Sequence, residues 1–242
     1  MIEYIFQAKS TRFDGNTSPF HISSGRTIEH DDVMVTEFLR LKNAKNGDFP
    51  CLPGSSLRGY FRSIIESQDL TKRRNWRDDW RYVWFSNVGL ESAIRSIERV
   101  IYHPPMQKKR VGIHAEFLTI PDKPATEMRV YCCTKTAKVF FEELLGKVND
   151  FFVSRMMMDH QIARNLMLPE EGVYKSFLKK ARGSQIYYLK LGRFCGRQWK
   201  ITRTTPIPRH VVTIKKGGTD IPVGFLELTL IDKKEASNFE FS

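Results

Sequence analysis

The stretch "PCLPGSSLRGYFRSIIES", Pro50 to Ser67, contains the clearest start of a helix in the chain. Pro53 and Gly54 are typical of a turn, and the hydroxyl of Ser55 or Ser56 is expected to cap the helix by accepting from a free backbone N–H. Apolar residues then recur three and four positions apart, which predicts one buried stripe. The stripe consists of Leu57, Tyr60, Phe61, Ile64 and Ile65.

Two arginines lie on the opposite face of this helix. Arg58 and Arg62 are one turn apart near the N-terminus, where the helix dipole favours anions over cations. Free backbone N–H groups at that end bind phosphate oxygens well, and arginine adds charge-assisted hydrogen bonds. The pattern therefore predicts a phosphate site at the start of the helix. The alternative is a capped surface helix with two solvated arginines.

The overall composition favours a polyanionic partner. The 242 residues are 41% hydrophobic and 27% charged, and 39 Lys and Arg against 27 Asp and Glu give a net charge of +12. We expect nucleic acid rather than a membrane, since no basic amphipathic helix or lipid anchor is evident. The first residues lack the pattern of a secretion signal, and no apolar run reaches the roughly 20 residues that cross a bilayer, which predicts a cytoplasmic protein. Four cysteines without C-x-x-C spacing predict reduced thiols and no metal site.

The order of segments predicts an α+β fold with helices packed on an antiparallel sheet. Residues 2–9 alternate as a strand does, residues 14–32 have the composition of a long loop, and residues 32–41 form a second candidate strand. Residues 108–134 are predicted to be two strands around a proline-containing turn. Residues 136–168 are helical, with two helices expected, and a further short helix covers 171–181. The last third is rich in strands.

A second loop with glycines and basic residues occurs in "LGRFCGRQWK", residues 191–200. Gly192 and Gly196 permit close backbone approach, while Arg193, Arg197 and Lys200 supply positive charge. Together with the start of the first helix, this loop predicts a composite surface for a phosphate backbone.

An aromatic and basic segment, "RRNWRDDWRYVWF", covers residues 73–85. Such a mixture stacks nucleic-acid bases while its arginines bind phosphates. Tryptophans that pack in the core beneath a charged helix face are the alternative.

Candidate catalytic residues cluster between residues 21 and 32. The adjacent carboxylates of Asp31 and Asp32, with Glu29 beside them, would hold Mg²⁺ and position a water or a sugar hydroxyl for strand cleavage. His21 and His30 would instead serve as acid and base in metal-free RNA cleavage. A simpler alternative is that Asp31 and Asp32 end a solvated loop. No cofactor other than this Mg²⁺ is expected.

Three segments resemble one known family. "CLPGSSLRGYFRSIIES", residues 51–67, resembles the hydrophobic-Pro-Gly-Ser-Ser-Leu-Lys/Arg-Gly segment of the RAMP superfamily, the backbone subunits of CRISPR effector complexes, especially type III. "TSPFHISSG", residues 17–25, is similar to that family's His-Ile-Gly loop, with Ser23 where glycine is usual. "LKLGRFCGRQWKITRT" and "IPVGFLELTL", residues 189–204 and 221–230, are similar to the glycine loop and closing strand of type III-A subunits.

The resemblance implies a single ferredoxin-like, RRM-type domain over residues 1–242. It implies a protruding β-hairpin thumb at about 108–131 and a helical insertion at about 136–182. It further implies a structural subunit of an antiviral ribonucleoprotein complex that binds CRISPR RNA without base specificity, beside sibling RAMP subunits and a target RNA or DNA. The RNA-binding residues that it implies, or that the two basic loops predict, are His21, Ser55, Ser56, Arg58, Arg62, Gly192, Arg193, Gly196, Arg197 and Lys200.

The same family divides on catalysis. Repeating backbone subunits of type III complexes cleave target RNA with an aspartate between the His-Ile-Gly and Pro-Gly-Ser-Ser segments. Asp32, which precedes "VMV", is the better match in that interval, and Asp31 is its neighbour. Filament-capping subunits and the DNA-targeting type IV relatives generally lack this activity. The sequence resembles both branches. We favour the non-enzymatic subunit and keep two alternatives, a Mg²⁺-dependent endoribonuclease and a subunit of a type IV-like complex.

Overall fold

The computed structural model describes residues 1–13, 15–43, 47–103, 110–168, 171–181, 184–195, 199 and 211–235. The helices are α1 Gly54–Ser67, α2 Trp76–Arg81, α3 Lys135–Asn165 and α4 Glu171–Ala181, with a 3-10 turn at Leu70–Lys72. The strands are β1 Ile2–Ser10, β2 Arg12–Phe13, β3 Asn16–Thr17, β4 Ser23–His30, β5 Val33–Phe38, β6 Arg40–Asn43, β7 Gly47–Leu52, β8 Val83–Phe85, β9 Val88–Gly89, β10 Ile94–His103, β11 Arg110–Thr119, β12 Thr126–Cys132, β13 Tyr187–Lys190, β14 Val211–Lys216, β15 Thr219–Pro222 and β16 Phe225–Glu235.

Two large sheets organise these strands. One sheet has the order β13-β16-β1-β12-β8, and the other has the order β15-β14-β10-β11-β5-β4. Small sheets are formed by β2-β3 and by β6-β7-β9. The strand pairs in the two large sheets are antiparallel except β11 with β5. The predicted α+β class is therefore confirmed. No helix in the described ranges is both long and apolar enough to cross a membrane.

Helices α1 and α3 supply the main core against β1. The predicted apolar stripe of α1 is confirmed, because all five of its side chains are buried. Aromatic rings fill the space between the layers, with Tyr4 at 5.1 Å and Phe61 at 6.0 Å from Phe141, measured between ring centroids. A second buried cluster, on the six-stranded sheet, includes Val100, Phe117 and Phe194.

The predicted pair of helices over residues 136–168 is instead the single helix α3. Thr134 caps its start by accepting from the N–H of Ala137 at 3.0 Å. The segment contains no proline, and the one glycine, Gly146, weakens a helix without ending it. The predicted short helix over 171–181 is confirmed as α4.

Helix α3 also covers the edge of β13 with one amide side chain. Asn149 donates to the carbonyl oxygens of Ser184 and Ile186 at 3.1 and 2.8 Å. Its own oxygen accepts from the N–H of Tyr188 at 3.1 Å. Asn149 thereby satisfies one backbone donor of the edge strand β13 and two carbonyls of the residues just before it.

The long loop predicted over residues 14–32 is largely a hairpin. Strand β4 pairs with β5 up to His30 opposite Val33, which leaves Asp31 and Asp32 as a two-residue turn. Both aspartates have positive φ, 48° and 60°, as a type I′ turn requires. The sequence pattern misses β4 because most of its side chains are exposed, so no apolar alternation marks it.

The strands of the predicted thumb at about 108–131 are present, but they do not pair with each other. Strand β11 lies between β10 and β5, whereas β12 lies between β1 and β8 in the other sheet. The connection is held by the end of β1, because Ser10 and Ile120 exchange two hydrogen bonds at 3.0 Å. The proline-containing turn thus carries the chain from one sheet to the other. The expectation that β11 and β12 form one hairpin is wrong.

Candidate functional site

Backbone hydrogen bonds bring the three family-like segments side by side. The N–H of Arg193 donates to the carbonyl of His21 at 2.9 Å, and the N–H of Leu39 donates to Ile22 at 2.8 Å. The N–H of Cys51 then donates to Leu39 at 3.2 Å, which continues the ladder to the start of α1. We call residues 21–24, 51–56 and 191–195 the motif strip. Segments about 170 positions apart in sequence are therefore joined by one run of backbone hydrogen bonds.

Gly192 is required where the glycine loop meets the first segment. Its φ is 105°, and a Cβ placed on it would lie 2.4 Å from the carbonyl oxygen of His21. The close backbone approach predicted for Gly192 is thus made to the chain's own backbone. Beside it, Arg193 is exposed, and its Nη1 donates to the hydroxyl of Ser23 at 3.1 Å.

His21 is enclosed in the strip rather than displayed on it. Its side chain is 2% exposed, with ring centroids of Phe117 and Phe194 at 5.8 and 5.1 Å. Burial lowers the pKa of His21, with the nearby Arg193 acting in the same direction. Nδ1 lies 2.6 Å from the carbonyl oxygen of Glu116, so Nδ1 carries the proton and donates. His21 therefore contributes its carbonyl and its packing to the strip, and its imidazole is not placed for acid–base chemistry on a bound strand.

A buried carboxylate that the sequence did not reveal lies behind His21. The Glu116 side chain is fully buried and accepts from Arg95 Nε at 2.7 Å and from the N–H of Phe38 at 3.0 Å. Arg40 Nη2 completes the group with a direct contact to the same carboxylate. Glu116 and its three partners come from four strands, β11, β10, β5 and β6, so no local motif could indicate the group.

The start of α1 differs from the predicted cap. Pro53 is the N-cap residue, and no side-chain hydroxyl caps the helix. Instead, Asn87 accepts from the N–H of Gly54 at 3.0 Å. A Cβ on Gly54 would lie 2.1 Å from the carbonyl oxygen of Phe85, so this glycine lets α1 pack directly against β8. The hydroxyl groups of Ser55 and Ser56 take no part in the cap, and Ser55 is exposed at the helix end.

Arg58 points into the protein and binds the end of α2. Its Nη2 donates to the carbonyl of Trp80 at 2.7 Å, and its Nη1 contacts the carbonyl of Val83. The guanidinium carbon lies 4.4 Å from the centroid of the Trp80 ring. Burial lowers the pKa of Arg58, and the charge of Arg62 lowers it further. Backbone carbonyls and an aromatic face thus provide the partial negative charge that this arginine needs.

Arg62 points away from the helix N-terminus. Its side chain is 59% exposed, and its Nε donates to Glu66 Oε1 at 3.0 Å, one turn towards the C-terminus. The two arginines therefore diverge and do not frame one phosphate at the start of α1. Gly196, Arg197 and Lys200 lie outside the described residues.

Asp31 and Asp32 lie at the tip of the β4–β5 hairpin. Both are exposed, and His30 Nδ1 is 3.0 Å from Asp31 Oδ2. At about 3.3 Å per residue, β4 places this tip roughly 25 Å from Ser23 in the motif strip. Within the described ranges, no three His, Cys, Asp or Glu residues are grouped as metal ligands. The two carboxylates fit a Mg²⁺ ion only as part of a ligand set completed by water and substrate phosphate.

A buried ion pair anchors the glycine loop to α3. Lys190 Nζ lies 2.6 Å from Asp159 Oδ2, and both side chains are fully buried. Trp199 Nε1 donates to the same carboxylate at 3.0 and 3.1 Å. The Lys190 ammonium also lies 4.4 Å from the centroid of the Phe225 ring. The sequence gives no signal for this group, since its members are 9 to 66 positions apart.

Comparison with known proteins shows the fold alone. No protein-family model matches the chain, and no curated protein sequence matches it. A similar solved structure is a chain of the "Csm-crRNA-target RNA ternary complex in type III-A CRISPR-Cas system", determined by cryo-EM. The alignment covers 94% of this chain and 100% of that chain, with a TM-score of 0.59 and 12% sequence identity.

Proposed function

We propose that this chain is a structural subunit of a CRISPR effector ribonucleoprotein and binds the backbone of the CRISPR RNA along the motif strip. The observation that carries the proposal is the backbone ladder that joins His21, Leu39, Cys51 and Arg193, because it aligns the three segments that resemble the RAMP family. The fold shared with a chain of the Csm complex supports it. The further partners in this proposal are sibling subunits and a target strand. The proposed core is ferredoxin-like, and the proposed complex works in the cytoplasm.

The chemistry of the strip suits a guide of variable sequence. Its exposed polar groups are the hydroxyl of Ser55 at the start of α1 and the guanidinium of Arg193, with Ser56 half-buried beside them. Such groups bind phosphate and sugar, which fix the position of a strand and carry no sequence information. The net charge of +12 supports binding of a polyanion.

The test is RNA binding by the purified subunit over a series of salt concentrations. Arg193→Ala is expected to weaken binding of repeat-derived RNA and to reduce the slope of log K against log salt by about one contact. Arg164→Ala is the control, because Arg164 is also exposed but lies on the last turn of α3. Equal behaviour of the two variants would remove the strip as the RNA site. Sequencing of RNA that co-purifies with the chain identifies the partner independently.

A second candidate function is Mg²⁺-dependent cleavage of target RNA through Asp32. The observation that favours it is the exposed hairpin tip, which holds Asp32 away from the strip and thus away from a guide bound there. Asp32→Asn keeps a residue that tolerates positive φ while removing the carboxylate. In an assembled complex with Mg²⁺, this variant should bind target RNA and fail to cut it. Asp31→Asn, assayed in the same way, shows whether the neighbouring carboxylate is also needed. Cutting at the normal rate by both variants excludes the nuclease. Preference for a DNA target in the same assay favours the type IV-like alternative.

A further inference from the structure

Exposed aromatic side chains gather where the five-stranded sheet ends at β8. Tyr82 and Trp84 are 43% and 49% exposed, while Val83 between them is fully buried. Trp84 lies on the face of β8 opposite the buried Val83, and the exposed Tyr82, the C-cap residue of α2, directly precedes the strand. The cross-strand partner of Trp84 is the half-buried Tyr131 on β12. We call Tyr82, Trp84 and Tyr131 the aromatic corner.

The carboxylates next to this corner are neutralised locally. Glu3 lies opposite Tyr131 on β1, and Glu127 lies four residues before Tyr131 on β12; Arg129 bonds to both carboxylates, at 3.1 and 2.9 Å. Lys234 Nζ adds a second cation at 3.5 Å from Glu3. The acidic groups nearest the aromatic rings therefore leave little net negative charge to repel an anion.

Helix α2 places an excess of positive charge directly before the corner in the chain. Arg77 and Arg81 on α2 are exposed, as is Arg74 just before the N-cap residue Asn75, and Asp78 is the exposed carboxylate among them. Asp79 is buried and forms an ion pair with Arg73 at 3.4 Å, so it does not offset the three arginines. Three exposed arginines against one exposed aspartate favour an anionic partner.

The corner also adjoins the motif strip. Gly54, at the start of α1, packs against the carbonyl of Phe85, the residue that follows Trp84. The helix N-terminus of the strip therefore packs against β8, the strand that carries Trp84.

We propose that the aromatic corner and the exposed arginines of α2 form a second nucleic-acid contact, which stacks the bases of a single-stranded segment. Aromatic faces stack any base, and arginines track the phosphates, so the contact is tolerant of sequence. An exposed aromatic patch without nearby cations would fit a protein partner equally well. The excess of exposed arginine beside this patch favours a polyanionic partner instead. The inference requires only a single strand and does not depend on the identity proposed for the complex.

The test measures binding of a labelled oligouridylate by fluorescence anisotropy at several salt concentrations. Tyr82→Ala and Trp84→Ala should each weaken binding about 5-fold to about 150-fold with little change in salt slope, since each removes a stacking partner. Arg77→Ala and Arg81→Ala should each reduce the slope by about one. Ile94→Ala is the matched control, because Ile94 is 61% exposed but lies on β10 of the other sheet.

A spectroscopic readout covers the case in which an alanine variant unfolds. In the wild type, bound oligouridylate should quench the fluorescence of Trp84 and protect it from quenching by acrylamide. Both effects on tryptophan fluorescence should be smaller in Trp84→Phe, which retains an aromatic ring. Unchanged affinity in both folded aromatic variants, or no protection of any tryptophan, overturns the proposal. Normal oligonucleotide binding with lost association to a protein partner also overturns it and assigns the corner to a protein interface. Loss of binding through Arg193→Ala alone supports the strip and counts against the corner.

Discussion

Arg58 and Arg62 allow a matched test of whether the first arginine of α1 is a structural clamp. In Arg58→Ala, the carbonyls of Trp80 and Val83 lose a charged donor, and the Trp80 ring loses its cation. Hydrogen bonds to charged groups contribute about 1.5–3 kcal/mol and a cation–π contact about 0.5–2 kcal/mol, with overlap between them. We expect Arg58→Ala to lower the free energy of unfolding by about 2–4 kcal/mol. Arg62→Ala breaks one exposed pair with Glu66 and should cost at most about 0.5 kcal/mol.

Urea denaturation followed by circular dichroism measures both variants. With a slope of about 3 kcal/mol/M, the loss in Arg58→Ala corresponds to a midpoint about 1 M lower, while the midpoint of Arg62→Ala barely moves. Arg58→Lys keeps the charge without the planar fork and should fall between alanine and wild type. Equal midpoints for Arg58→Ala and Arg62→Ala would refute the clamp. A lower salt slope for RNA with unchanged stability would instead assign Arg58 to a phosphate.

Three further predictions concern the elements that hold the strip. Gly54→Ala should destabilise the protein by about 1–3 kcal/mol, because the added Cβ collides with backbone. Gly59→Ala in the same helix meets open space and should stabilise the protein by up to about 1 kcal/mol. Urea midpoints of the two variants that shift in the same direction contradict this. Lys190→Met removes the cation that neutralises the buried Asp159 carboxylate and should cost about 3–5 kcal/mol, and Lys190→Met with Asp159→Leu should recover part of the loss in the same titration. Burial lowers the pKa of His21, so the unfolded chain takes up the proton first and stability falls as pH drops below about 6.5. The unfolding midpoints at pH 7.5 and pH 5 should therefore differ less in His21→Gln than in the wild type. An equal difference in both proteins excludes this role of His21.

The predictions that succeeded rest on local periodicity. The apolar stripe from Leu57 to Ile65 faces the core as its spacing requires, and α4 ends where its pattern ends. A pattern repeated over a few turns depends only on which face is buried, so sequence suffices. The α+β class follows from the order of such local segments.

The predictions that failed depend on contacts between distant segments. Whether β11 turns back on β12 or enters the other sheet depends on the pairing of Ser10 with Ile120, 110 positions away. The cap of α1 comes from Asn87 rather than from Ser55 or Ser56, because the approach of β8 decides which acceptor reaches the helix end.

The candidate site shows the same difference between features that local sequence indicates and features that distant contacts determine. The motif segments that meet in the strip were identifiable from Gly192, Arg193 and the start of α1, since glycine and basic residues mark such loops locally. The directions of Arg58 and Arg62 were not, because each side chain is drawn to a partner that only the folded chain provides. The buried pair of Lys190 and Asp159 likewise becomes a pair only in three dimensions.

The amide of Asn149 limits how this molecule can assemble. Its oxygen accepts from the Tyr188 N–H of β13, so a strand from a second chain could pair along this edge only after displacing the Asn149 side chain. The same side chain that joins α3 to the sheet therefore also disfavours strand addition between copies at this point of the sheet.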